Sequence, residues 1–175
     1  MYADELSVSK TPSTVSKGCG KMNDLQELAL LNLKAEHLMI PSEKVAHVQM
    51  NNPLEHALLI LVKSGYSAVP VLDTSYKFKG TIGKNLILNH ILGIERFEME
   101  KLSEIEVCDV MNQEIPCVSK SDDFLSCLKT VIDYPFVCVV DKNGYFDGIL
   151  TRRAILKQVN KYIYVNKSLF EERDN

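Results

Sequence analysis

Thr151, Arg152 and Arg153 stand together after the strand-like run Tyr145–Leu150 and open the helix-like run Thr151–Tyr162. The first N–H groups of a helix have no partner within it, and the helix dipole is positive at that end. An anion is stabilised there without further machinery. The two arginines add permanent charge and planar donor forks that match phosphate oxygens. Each charge-assisted hydrogen bond contributes about 1.5–3 kcal/mol. Micromolar binding needs roughly 8 kcal/mol in all. Two arginines also suit a solvated first turn. Cations at a helix N-terminus oppose the dipole, however, which favours a neutralising ligand. Thr151 suits a plain N-cap, and capping is compatible with phosphate contact.

The junction must be held by the elements around it. A helix is expected over residues 23–38, with Leu25, Leu28, Leu31 and Leu38 at helical spacing and Pro41-Ser42 as its stop. Lys44–Met50 reads as extended. Asn51-Asn52-Pro53 reads as a helix start with Asn as the cap, and Ser64-Gly65 as its stop. Ser67–Leu72 is a short buried strand whose Pro70 needs an edge or an opening in the sheet. A turn at residues 73–77, a strand over 79–82 and a helix over 85–92 closed by Gly93 complete the first set.

The same grammar then repeats. Val107–Met111 echoes Glu36–Met39, Ile115–Ser119 is extended, and Ser121-Asp122-Asp123 caps a helix reaching about Asp133. Phe136–Asp141 matches Ala68–Asp73, followed by the Lys142–Gly144 turn, a strand and a helix. Asp73 and Asp141 are 68 residues apart, as are Gly80 and Gly148, whereas Met39 and Met111 are 72 apart. The first copy therefore carries four extra residues. Neither copy is large enough to bury both faces of its sheet alone, so the two must pack together about a pseudo-two-fold axis.

This order of strand, helix, strand, strand and helix resembles a pair of cystathionine-β-synthase (CBS) domains, a Bateman module. The stretch Val69–Asp73 and the signature Gly148-Ile149-Leu150-Thr151 carry the likeness, which covers residues 34–163. The resemblance implies a mixed α+β fold of two tandem repeats. The expected parts are an N-terminal extension at 1–21, repeat 1 at 22–93, a charged connector at 94–106, repeat 2 at 107–163 and a tail at 164–175. The segments Lys44–Gln49, Leu54–Leu59, Gly65-Tyr66 and Gly148–Arg153 are similar to the small stand-alone cyclic di-AMP-binding CBS proteins of Gram-positive bacteria. That likeness implies a non-catalytic receptor whose regulatory ligand, cyclic di-AMP, sits in a cleft between repeats. It also implies a homodimer that regulates a partner enzyme such as a stringent-response synthetase or a carboxylase. It places the adenine against Lys44, Val45, Ala46, Tyr66, Ser67, Ala68 and Pro70, with Thr151, Arg152 and Arg153 on the phosphates. Small Ala46 and Ala68 would let a flat base reach backbone groups, and Tyr66 would stack on it. Read without the repeat, Val45, Ala68 and Pro70 are plain core or strand edge.

The departures from the family pattern narrow the ligand. The ribose-binding Asp of the family would fall at Ala154. No carboxylate is left to grip the 2′,3′-diol of AMP or ATP, and a cyclic dinucleotide has no such diol. The alternatives are an AMP-, ADP- or ATP-sensing regulator and a nucleotide-free dimeric interaction module. The symmetry-related cleft has Gly83 in place of Thr, Leu86 in place of Asp and Phe136 in place of a small residue. One occupied cleft per chain is expected.

Other signals carry less. The 175 residues are 46% hydrophobic and 25% charged with a net charge of −3, which fits a globular chain and disfavours a bulk-charge nucleic-acid binder. The apolar run Ala57–Val62 is too short to span a bilayer. Five cysteines without a Cys-x-x-Cys pair suggest neither a disulfide framework nor a zinc site, and a reducing cytoplasm is the expected compartment. Gly18-Cys19-Gly20-Lys21 lacks phosphate-loop spacing. His37, His47, His56 and His90 lack metal-ligand spacing; His47 follows Ala46 and is a candidate for the cleft wall. No catalytic constellation stands out, and no cofactor or metal is expected.

Overall fold

The structure, a computed structural model, describes residues 28–93 and 98–165. The expected extension at 1–21, part of the connector and most of the C-terminal tail lie outside the described residues. The first copy comprises α1 (Ala35–Leu38), β1 (Ile40–Pro41), a 3₁₀ turn (Ser42–Lys44), β2 (Val48–Gln49), α2 (Leu54–Ser64), β3 (Ala68–Leu72), β4 (Phe78–Gly83) and α3 (Lys84–Ile91). After α4 (Lys101–Glu104), the second comprises α5 (Val107–Val110), β5 (Cys117–Val118), α6 (Phe124–Val131), β6 (Phe136–Val140), β7 (Phe146–Thr151) and α7 (Arg152–Val165).

Two mixed sheets result, one in the order β2-β3-β4 and one in the order β1-β7-β6-β5. The second contains a strand from the first copy: Ile40 pairs with Ile149 and Pro41 with Gly148. The reciprocal bridge joins Asn112 to Thr81. Lys34 bridges Asp123 just as Glu106 bridges Pro53, and Lys77 faces Tyr145 across the axis. Phe78 N–H donates to Gly144 O at 3.0 Å and Phe146 N–H to Tyr76 O at 3.1 Å, one bond being the image of the other.

The cores follow the same exchange. In the first, Leu54, Ala57 and Leu61 of α2 pack on Val69, Val71 and Ile82, with Val107 of the second copy among them. In the second, Phe124, Cys127 and Val131 pack on Val137, Val139 and Leu150, with Ala35 of the first copy among them. Each short lead helix is thus buried in the other repeat. A third cluster, Val45, Leu72, Cys138 and Phe146, closes the seam between sheets.

Several local expectations are corrected. The helix over 23–38 is broken: residues 28–31 are helical, Lys34 is extended, and α1 restarts at Ala35. The break frees Ala35 N–H for Asp122 O at 3.0 Å and Glu36 N–H for Lys120 O at 3.1 Å, so bonds to the second repeat displace helix continuation. Pro41 lies in β1 and does not end a helix. Lys44 belongs to the 3₁₀ turn rather than to an extended run. Pro53, not Asn, is the N-cap of α2, and the Asn52 side chain instead accepts from Gln49 N–H at 2.9 Å. Leu92 in extended conformation, not Gly93, ends α3.

Other expectations hold. Gly65 stops α2 in the left-handed region. Asp123 caps α6 by accepting from Ser126 N–H at 2.8 Å. Pro70 sits where β2, which pairs only with Val71 and Leu72, has run out. No helix among the described residues is long and apolar enough to cross a membrane.

Candidate functional site

Thr151 ends β7, and its Oγ1 accepts a hydrogen bond from Ala154 N–H at 3.2 Å, which fixes the first turn of α7. Arg152 N–H donates to Pro135 O at 2.9 Å. The two arginines then part company. The Arg152 guanidinium donates from Nε to Val131 O at 2.9 Å and from Nη2 to Ile132 O at 3.1 Å. It therefore caps the C-terminal end of α6, where free carbonyls and the negative end of the dipole favour a cation. The expectation that both forks face phosphate is corrected for Arg152: two of its donors are already committed. The exposed Arg153 side chain makes no hydrogen bond or ion pair among the described residues.

Strand pairing brings the first repeat to this junction. β1 runs beside Gly148 and Ile149, and the 3₁₀ turn that follows, ending at Lys44, packs against β7. Lys44 is exposed. Val45 is buried in the seam with Phe146 and Cys138, so only its backbone is available to a ligand. Its carbonyl is 3.1 Å from His47 Nδ1. His47 lies 6.0 Å from the Tyr76 ring and 6.5 Å from that of Phe146, which makes it part of the seam wall. Ala46 is half-buried against the first core.

The remaining expected residues cluster at the start of β3. Tyr66 and Ser67 are exposed, Ala68 is half-buried and Pro70 is buried opposite Thr81. Pro70 is thus a buried residue of the sheet. Ser67 O accepts from Lys84 N–H at 3.1 Å, and Ala68 pairs with Gly83, the counterpart of Thr151. In contrast to Thr151, Gly83 gives α3 no side-chain cap. Phe136 lies opposite Thr151 and packs in the seam with Val45.

A groove of about 790 Å³ opens from the junction, lined by Ile40, Thr151 to Ala154, Leu156, Lys157 and Asn160. Ile40, Leu156, Lys157 and Asn160 were not singled out by sequence. The legible signal was spacing: Lys157 and Asn160 follow Arg153 by one and two helical turns. The lining contains no carboxylate.

No group of three or more metal-ligating side chains occurs among the described residues. Burial pushes the Cys127 thiol up to about 11 and raises that of Cys138 as well, the opposite of what a nucleophile needs.

The CBS domain family matches residues 35–93 and 107–161. Cyclic di-AMP receptor B of Bacillus subtilis (strain 168) is 49% identical over 142 residues, 81% of this chain and 97% of that protein. A CBS domain-containing protein from Bacillus anthracis superposes with a TM-score of 0.74 at 56% identity, covering 77% of this chain and 98% of that one. CbpB of Listeria monocytogenes, solved in complex with c-di-AMP, gives a TM-score of 0.69 at 49% identity over 73% of this chain and 95% of its own. With two matched segments that coincide with the two copies of the fold, the chain belongs to the CBS domain family.

Proposed function

We propose that the chain is a non-catalytic receptor for cyclic di-AMP and that it regulates a protein partner. One observation carries the reading. The capped turn Thr151–Ala154 presents a free cation, Arg153, and an alanine where a ribose-binding acid would stand, beside the lead segment of the other repeat. The relative named for cyclic di-AMP and the neighbour solved with it support the choice of ligand.

On this reading, Thr151 and Arg153 hold a phosphodiester, with the three remaining N–H donors of Arg152 beside them. The backbone of Lys44–Ala46, together with Tyr66, Ser67, Ala68 and Pro70, receives an adenine. A ligand bound across the seam ties β1 and the 3₁₀ turn to α7. It stabilises one arrangement of the two repeats, and a partner that binds this arrangement better or worse reads the signal. The same reading keeps the repeats at 22–93 and 107–163, joined by 94–106, as the two halves of the device. A homodimer is part of it. Val62 and Ile132, each 62% exposed, occupy equivalent places at the ends of α2 and α6 and give both copies an apolar helix face. A partner enzyme, such as a stringent-response synthetase or a carboxylase, completes it.

Isothermal titration with cyclic di-AMP, AMP and ATP tests the reading. Cyclic di-AMP should bind at least about 100-fold more tightly than either mononucleotide, which corresponds to a difference of about 2.7 kcal/mol. One molecule should bind per chain. Equal affinity for all three would remove the cyclic dinucleotide from the proposal.

A further inference from the structure

We infer that the β3–β4 and β6–β7 turns, which meet on the pseudo-two-fold axis, form a face that docks an acidic segment of a partner protein, with Tyr76 as its anchor. This rests on the reading of the chain as a receptor that regulates a protein, and it names the surface used and the chemistry of that partner.

Tyr76 is the only non-glycine residue with positive φ among the described residues, at 62°. A bulky side chain is strained in that region. The equivalent residue of the second turn, 68 positions on, is Gly144 at φ 84°. The fold asks both positions for the same backbone bonds. Tyr76 N–H donates to Asp73 O at 3.0 Å, and its carbonyl accepts from Phe146 N–H at 3.1 Å. Gly144 N–H donates to Asp141 O at 3.0 Å, and its carbonyl accepts from Phe78 N–H at 3.0 Å. Glycine at position 76 would make these bonds without strain. What tyrosine adds there is its side chain, which is 58% exposed and rests edge-on against His47 at 6.0 Å.

A second exposed tyrosine stands beside it. Lys77 bridges Tyr145 across the axis, with its Nζ 5.3 Å from the centre of the Tyr145 ring. Tyrosine is enriched where proteins dock, because it offers a large, rigid contact with a polar tip. The charge on this face has one sign. Asp73 turns inward to the N–H groups of Ser75 and Lys77 and pairs with Lys79 at 3.2 Å. Asp141 turns inward to those of Asn143 and Tyr145. Lys77 and Lys142 make no ion pair among the described residues, and the segments 74–77 and 142–145 hold no acid. Two cations around two tyrosines suit a segment with carboxylates beside an apolar anchor. A second copy of the chain would bring the same cations, and a net charge of −3 disfavours nucleic acid.

The test selects random dodecapeptides displayed on phage against the full chain. The recovered peptides should carry an excess of Asp and Glu around an apolar or aromatic residue. A synthetic copy of one of them, followed by fluorescence polarisation at fixed salt, should bind Tyr76→Gly and Lys142→Glu at least about tenfold more weakly than the parent. Tyr76→Phe should stay within about threefold. Tyr76→Gly should melt at or above the parent temperature, since its strain is relieved, and a folding defect cannot produce that combination.

If no peptide is recovered, if the recovered peptides are not acidic, or if Tyr76→Gly binds them as the parent does, the docking assignment is wrong. If the parent self-associates through this face, seen as a change in sedimentation that Tyr76→Gly abolishes, the occupant is a second copy and the acidic partner is excluded. If Tyr76→Gly loses cyclic di-AMP affinity, the tyrosine belongs to the nucleotide cleft and the assignment again fails. Failure of the parent to bind cyclic di-AMP would overturn the receptor reading by a separate measurement, with the peptide result still deciding the docking face.

Discussion

The backbone of Gly148 lies so close to Ile40 that a Cβ at position 148 would strike the Ile40 carbonyl oxygen and the Met39 methyl group. The lead segment of one repeat thus crosses the glycine of the other repeat. Its image is Gly80, where a Cβ would strike the carbonyl of Asn112. The glycine of the Gly-Ile-Leu-Thr signature serves this crossing, and φ at Gly148 is 152° besides. Gly148→Ala and Gly80→Ala should each destabilise the fold by about 2–4 kcal/mol, read as urea midpoints. Only Gly148→Ala moves β1 and the turn beside Thr151. At a temperature where both variants are folded, it alone should lose cyclic di-AMP affinity, by tenfold or more. Equal loss in both would place a ligand contact at each crossing.

Arg152 and Arg153 are adjacent in sequence and opposite in consequence. Arg152→Ala strips the Val131 and Ile132 carbonyls of their donor. It should cost about 1–2 kcal/mol of stability in chemical denaturation. The exposed Arg153 side chain makes no hydrogen bond or ion pair among the described residues, so Arg153→Ala should leave stability within about 0.5 kcal/mol. Its cyclic di-AMP affinity should fall more than tenfold. A stable Arg152→Ala variant would show that the α6 cap is dispensable.

The repeat was legible because core positions recur: Leu54 with Phe124, Ala57 with Cys127 and Leu61 with Val131 each lie 70 residues apart, whereas Val69 with Val137 and Ile82 with Leu150 lie 68 apart. The junction was legible too, since Thr151 caps and α7 follows. The reciprocal burial of Ala35 and Val107 was not. A four-residue helix carries too little periodicity to announce which core it enters. The break at Lys34 was hidden for a related reason: backbone bonds to Lys120 and Asp122 override a leucine pattern that, taken alone, continues the helix. The fate of Arg152 was hidden because its acceptors are main-chain carbonyls about 20 residues upstream, which no side-chain pattern reveals.

Three aspartates set the acid limb of stability. Asp73 accepts from Lys77 and Ser75 N–H, Asp123 from Ser126 N–H, and Asp141 from Tyr145 and Asn143 N–H. These backbone donors, which favour the charged form, hold each carboxyl below its usual 3.8. A depressed folded-state value adds stability above the unfolded-state value and loses it as pH falls through the folded one. The melting temperature should therefore be flat from pH 7 to 5 and fall below about pH 4. Asn at all three positions keeps the local acceptor and removes the charge, so the decline should become shallower. An unchanged acid limb would assign it to other carboxylates.

On the receptor reading, Ala154 favours a cyclic dinucleotide over a mononucleotide, and replacing it reverses the argument. It occupies the third position of α7, half-buried beside Thr151 Oγ1. An acid at this position favours the helix through its dipole, so Ala154→Asp should fold as well as the parent. The carboxylate would face whatever anion Arg153 holds. Two unit charges 4 Å apart interact by about 1 kcal/mol in water and ~4 kcal/mol at an effective dielectric constant of 20. A cyclic dinucleotide offers no free diol to offset that repulsion, whereas AMP offers one. Ala154→Asp should therefore weaken cyclic di-AMP by tenfold or more and tighten AMP. Competition titration of both ligands against one variant reads the two changes together. If the preference did not move, the absence of an acid at this position would have no bearing on which nucleotide the cleft accepts.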